Sequence, residues 1–268
     1  MHLWIDNLSH NNHLRRLPPD YKLLFALVVL MIALIAPSGV QIAIALWMSV
    51  WTLVYARIPS HIYFSLFSVA IGFWLTSLPA LVISVVAITE RNLIQTDTYF
   101  GITLGSSYFY LSHLGLTQAI LILARTLATV SCLYFVLFTT PFTETLQVLR
   151  RIGCPVILTE LMLLMYRFIF ILLSTASELW VAQQSRNGYR TKKRWFYSLS
   201  LLISQLFQKT MEYYRKFVLS TAARGFNGEF RVWSSQKYYL PKRYLFEGIL
   251  GCFMLIILSI NDLAFRIR

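Results

Sequence analysis

Apolar residues along this chain gather in long runs that leave no polar face. Residues 22–36 (KLLFALVVLMIALIA) and 40–56 (VQIAIALWMSVWTLVYA) are two such runs, and Pro37-Ser38-Gly39 between them predicts a tight helical hairpin. A bilayer core takes about 20 apolar residues per helix, so both runs are slightly short. Residues 62–88 form a third run, interrupted by Gly72 and Pro79 in a way membrane helices tolerate, with a kink expected near Pro79. Residues 114–138 and 244–260 are the fourth and fifth. The pattern predicts an all-α fold, a polytopic helical membrane protein with five transmembrane helices, or six if one more segment crosses. The stretch 90–113 is polar and aromatic by turns and reads as a short amphipathic element at the outer membrane interface.

Residues 141–243 follow another pattern. Pro141 opens a segment (PFTETLQVLRRIGCP) in which Leu146, Leu149 and Ile152 recur at helical spacing until Gly153 and Pro155 stop it. A long helix is predicted over 156–184; its middle, LMLLMYRFIFILL, is apolar all round except for Arg167, and its end is polar. A second long helix, 195–223, sets Leu199, Leu202, Leu206, Tyr213 and Phe217 near one face, with Glu212 three and four residues before Arg215 and Lys216. The intervening NGYRTKKR joins the two as a hairpin.

Composition sharpens the picture. With 57% hydrophobic and 13% charged residues and a mean hydropathy of +0.61, the chain is far oilier than a soluble enzyme. Its net charge of +13 would suit nucleic acid or the cytoplasmic side of a membrane protein. Sixteen of the 24 Lys and Arg and only five of the 11 Asp and Glu fall in 139–243, which favours one non-translocated segment. Arg15, Arg16 and Lys22 before the first run place the amino terminus in the cytoplasm by the same rule. Five crossings then leave Arg266 and Arg268 outside, against that rule, and a sixth would reverse this. The expected organisation is a cytoplasmic arm (1–21), four transmembrane helices (22–140), a cytoplasmic helical module (141–243), and a last transmembrane helix with its tail (244–268). Cys132, Cys154 and Cys252 are odd in number and widely spaced, the pattern of packing residues rather than of disulfides or a zinc site.

The two long helices end alike. The first closes in Ser185-Arg186-Asn187-Gly188 and the second in Ala223-Arg224-Gly225. Each has a small residue, an arginine, then a residue that accepts left-handed backbone: Asn187 or Gly188, and Gly225. A single ending of this kind is routine helix capping; two copies on consecutive helices suggest paired docking onto a two-fold partner.

With these endings the chain resembles the transmembrane T component of energy-coupling-factor transporters, a branch of the ABC transporters, in its cobalt-type form, the CbiQ family. Arg224-Gly225-Phe226-Asn227-Gly228 is similar to that family's second motif, and the first departs from it by Asn187 in place of the usual Gly. Ile5-Asp6 through Leu17-Pro18-Pro19-Asp20-Tyr21-Lys22, Ala124-Arg125 through Thr139-Thr140-Pro141, Gly153-Cys154-Pro155 and Met165-Tyr166-Arg167-Phe168 extend the resemblance over most of the chain. It implies that 141–243 is a module of coupling helices. Arg186 and Arg224, shaped by Ser185, Asn187, Ala223 and Gly225, would each enter a groove of an ABC-type ATPase dimer. Closure of that dimer would tilt a separate small, metal-binding membrane subunit. Cobalt or nickel would be the cargo, bound by that subunit; a T component serving a vitamin-binding subunit is the alternative.

None of the eleven glycines precedes a lysine, so there is no phosphate-binding loop and ATP would be used by a partner, with no cofactor bound directly. A polytopic membrane enzyme is the rival from another class; the scattered acids and histidines offer no catalytic cluster, which argues against it. His2, His10, His13 and Asp6 match no compact metal motif. Trp233, Tyr238 and Tyr239 with Lys237, Lys242 and Arg243 read as an interfacial belt against membrane lipid and not as a nucleic-acid surface. Arg125 falls near the middle of the fourth run, where insertion costs about 2.5–3.5 kcal/mol. It and Arg167 are expected to make structural contacts, in the chain or with a partner subunit, rather than to carry ions.

Overall fold

The computed structural model describes residues 8–87, 98–104, 107–225, 238–239 and 241–267. In chain order these form α1 (Pro19–Ile35), α2 (Ser38–Val50, running on as a π-helical turn Trp51–Tyr55), α3 (Ser60–Val82), β1 (Ile83–Ala87), β2 (Thr98–Leu104), β3 (Ser107–Ser112), α4 (His113–Thr139), α5 (Phe142–Arg151), α6 (Val156–Ser185), α7 (Lys192–Ala223) and α8 (Lys242–Ile267). Five segments are long and apolar enough to cross a membrane: Ser38–Tyr55, Ser60–Val82, His113–Thr139, Val156–Ser185 and Lys242–Asp262. The protein is a multi-pass helical membrane protein. The set differs from the sequence expectation by one exchange: α6, predicted as a long helix of the 141–243 module, is in it, and α1 is not. Helix α1, at 17 residues or about 25 Å, falls just short.

The third run is helical only to Val82, and Ile83–Ala87 (ISVVA), rich in β-branched residues, becomes a strand instead. The strands form a small antiparallel sheet in the order β1-β3-β2, with Ile83 opposite Leu111 and Leu104 opposite Ser107. Where described, the stretch expected to be an amphipathic element is therefore β-structure, as its aromatic and β-branched residues favour. Residues 88–97 and 105–106 of it lie outside the described residues.

The chain divides into two compact units, one of residues 1–142 with 236–268, the other of 143–235. In the first, α4 is the axis, packed on α1, α2 and α3. Ala33, Val29, Ile44, Ala128 and Cys132 make the close contacts, small residues letting the helices approach without water to drive them together. Phe25 and Trp51 meet Phe135 edge to face with ring centroids 5.7 and 6.2 Å apart, and Trp51 lies tilted against Tyr244 at 6.2 Å. Helix α8 joins through glycines: a Cβ on Gly248 would strike the Tyr21 hydroxyl and Phe25, and one on Gly251 the Trp47 ring.

Three polar side chains close helix ends inside this unit. Lys22 is buried, and its Nζ donates to the carbonyl of Thr139, the last residue of α4, at 2.9 Å. Asn12 Nδ2 donates to Phe138 O at 3.0 Å and Ser9 O at 2.6 Å. The described part of the amino-terminal arm, from residue 8, thus caps the end of α4, with its own Leu14 and Leu17 buried. At the hairpin, Gln41 Nε2 donates to Ala33 O (3.1 Å) and Ala36 O (2.9 Å), satisfying carbonyls that α1 cannot pair itself.

In the second unit, α5 carries Glu144 in its first turn and Arg150 and Arg151 in its last, matching the helix dipole, and buries Leu146 and Val148. Gly153, at φ +104°, ends the turn after it. Helices α6 and α7 form the hairpin that carries the candidate site.

Replacing Gly251 by Val is expected to push α8 off Trp47 and cost about 1–3 kcal/mol, lowering the thermal midpoint in detergent, whereas Gly72→Ala, which meets nothing within 4 Å, leaves it unchanged.

Candidate functional site: two arginine-capped helix ends

Helix α6 follows Pro155 and is rich in Leu and Met, good helix formers, until the backbone turns left-handed. That turn is at Asn187, φ +54°, and not at Gly188. The amide of Gly188 donates to Gln183 O at 3.0 Å and that of Asn187 to Gln184 O at 3.0 Å, the paired bonds of a complete left-handed C-cap. Arg186 sits at the cap position with φ −90° and ψ 16°. Helix α7 ends the same way. Arg224 caps it with φ −91° and ψ 8°, Gly225 follows at φ +68°, and the Gly225 amide donates to Ala222 O at 3.0 Å. The two arginines therefore hold the same position in the same backbone geometry. Phe226, Asn227 and Gly228 lie outside the described residues.

Gly188 has another task. Its carbonyl accepts from Ser198 Oγ at 2.9 Å, and a Cβ there would meet that oxygen, so the turn lies against α7. Tyr189 stacks on Trp180 with ring centroids 4.2 Å apart, and its hydroxyl donates to Gln183 Oε1 at 2.7 Å. Ser185 Oγ donates to Ala182 O at 2.9 Å, within the last turn. These contacts hold the first end firmly. Sequence reasoning passed over Trp180, Tyr189 and Ser198; the aromatic pair flanking the motif was the available signal.

Both guanidinium groups are exposed, as are Ser185, Asn187, Ala223 and Gly225, and among the described residues neither arginine meets a carboxylate. Each lies where the helix dipole is negative, which favours a cation without consuming it in a pair. The ends are not brought together. The first lies level with Ser198 and the second terminates α7, 26 residues further on, so about 40 Å of helix separates them. Along α7 itself Glu212 takes the fourth-residue partner, Lys216, at 2.6 Å, which holds its carboxyl below the usual range.

Between the ends the hairpin is oily and uncovered. Ile157, Leu161, Met165, Ile169 and Leu173 make an exposed stripe at four-residue spacing on α6. Ile203, Phe207, Met211 and Tyr214 do the same on α7. Arg167 interrupts α6 with its guanidinium carbon 6.0 Å from the Phe217 ring centroid on α7. Arg125 is in the other unit, exposed on α4 beside the α1–α2 turn. Among the described residues no three His, Cys, Asp or Glu side chains gather into a metal site; His2 and Asp6 lie outside them, as do Trp233 and Lys237.

Long apolar helices with two matched, charged, exposed helix ends define a polytopic helical membrane protein. The chain belongs to the cobalt transport protein family CbiQ, whose family model matches residues 10–239. It is 26% identical to the cobalt transport protein CbiQ of Salmonella typhimurium over 85% of this chain and 99% of that one. To the cobalt transport protein CbiQ of Rhodobacter capsulatus it is 29% identical, over 88% and 90% of the two chains. A putative fused cobalt transport protein CbiMQ of Methanocorpusculum labreanum is 32% identical over 84% of this chain, which spans 36% of that longer protein. The resemblance read from the sequence is thereby confirmed, and the family is one of transport proteins.

The left-handed positions make a test of the caps. Gly225→Val and Asn187→Val are expected to cost about 1–2 kcal/mol at their own helix end, seen as roughly five- to thirtyfold faster amide exchange in the last turn, while Asn187→Gly leaves exchange unchanged.

Proposed function

We propose that this chain is the transmembrane coupling subunit of an energy-coupling-factor importer for cobalt or nickel ions. One observation carries the reading: two arginines in equivalent cap geometry, exposed and without a counter-charge among the described residues, about 40 Å apart on one rigid hairpin. That arrangement suits a partner with two like acidic grooves, the two halves of an ABC-type ATPase dimer. Guanidinium forks on carboxylates give such docking direction as well as strength. The ATPase and its nucleotide belong to the partner, and this subunit moves without doing chemistry.

The uncovered apolar stripes of α6 and α7 supply the second half of the coupling. A surface of that kind is stable only against lipid or another apolar protein, and a small substrate-binding membrane subunit fits it. The relative named as a fusion supports a cobalt transport partner working beside a chain of this type. The concentration of positive charge in 139–243 supports a cytoplasmic position for both arginine ends, where ATP is, with α6 and α7 lying along the membrane surface and α6 not crossing it.

Charge reversal tests this directly. Either Arg186→Glu or Arg224→Glu is expected to lower recovery of the ATPase with the tagged chain by roughly thirtyfold, and the pair to abolish both recovery and cobalt uptake by cells. Normal uptake with both arginines reversed rules the reading out.

A further inference from the structure

Helix α4 carries one seam from end to end. In its second half Ala128, Cys132, Phe135 and Thr139 recur at intervals of four, three and four residues, and all are buried. The α1–α2 hairpin covers them: Phe25 and Trp51 lie on Phe135, and Lys22 caps Thr139. The same spacing carried back towards the start of α4 gives Arg125, Leu121, Gln118 and Leu114, and all four are exposed. The hairpin is simply too short to reach them. It is level with Thr139 at Lys22 and turns back at 36–38, beside Arg125, leaving a recess of about 230 Å³ lined by Ile35, Ala36, Pro37, Ser38, Leu121 and Arg125.

An exposed guanidinium at this depth needs an anion. Helix α4 is 27 residues, about 40 Å, so wherever a 30 Å core lies along it, the Cα of Arg125 stays within about 8 Å of the core's centre. Lipid phosphates sit at the headgroups, about 15 Å or more from that centre. Asp262 comes close to the same hairpin turn at Gly39 but makes no ion pair with Arg125. Among the described residues no carboxylate of this chain pairs with Arg125, and a carboxylate on a membrane helix of another chain lies at the right depth.

We propose that the open half of the α4 seam docks a transmembrane helix of the substrate-binding subunit, which presents a carboxylate to Arg125 and a polar side chain to Gln118 one heptad further along. The seam is then continuous, hairpin in one half and partner in the other. The geometry of a helix interface, the continuity with a packed seam and a charge uncompensated among the described residues all point to that occupant. The identity of the partner rests on the importer reading above.

The test uses the intact complex from native membranes. A photo-crosslinking residue at Leu121 is expected to capture a second polytopic membrane protein. Arg125→Met is expected to lower recovery of that protein with the tagged chain by roughly thirtyfold while the ATPase is retained, and Arg125→Lys to keep most of it. Because Met removes a charge from a membrane helix, insertion is not at risk, and unchanged ATPase recovery shows that the chain is intact. A crosslink only to phospholipid or within the chain, undiminished recovery of the membrane subunit with Arg125→Met, or rescue of Arg125→Glu by Asp262→Arg would each overturn the proposal. Failure of the importer reading looks different: wild-type chain then brings down no ATPase, and the Leu121 crosslink alone decides the docking.

Discussion

A helix leaves its last carbonyls unpaired, and within a bilayer there is no water to receive them. Much of this molecule is arranged around that constraint. The α1–α2 hairpin can turn at Pro37 because the Gln41 amide serves two carbonyls of α1. Helix α4 can end at Thr139 because Lys22 and Asn12 reach across from the amino-terminal arm. With those ends closed, Phe25, Trp51 and Phe135 interlock on a fixed axis, and Gly248 and Gly251 let α8 come against it.

The second unit meets the same constraint differently. At the ends of α6 and α7 the backbone closes on itself through a left-handed residue, so no side chain is needed for the carbonyls. The side chain at the cap is free for other business, and in both places it is arginine. The first unit spends its polar groups inward to hold shape; the second keeps two cations outward. In this way one physical requirement is met by inward side chains in one unit and by backbone alone at the helix ends of the other.

The helical membrane fold was legible because unbroken apolar runs such as 114–138 have few alternatives. Boundaries were less so. Nothing in hydropathy separates Val82 from Ile83, and only the β-branched run that follows marks the change from α3 to β1. The two arginine endings were legible because local backbone chemistry sets them, although choosing between Asn187 and Gly188 required the φ angle in the structure. The closures by Asn12 and Lys22 were not, since their partners stand 126 and 117 residues away and no short-range pattern records that distance. Trp180, Tyr189 and Ser198 escaped notice for a like reason: each is unremarkable until the hairpin folds.

Helix α7 contains neither glycine nor proline in its 32 residues, so it has no built-in hinge. A straight helix is a stiff rod in torsion as well as in length. Motion imposed at Ser198 must arrive at Arg224 with its direction and phase preserved, and the two ends can only work in step. The same stiffness makes the phase a fixed property of residue count: one residue more or less between the ends would turn one arginine by about 100° relative to the other. The length of this helix therefore sets the direction in which Arg224 points relative to the turn that carries Arg186.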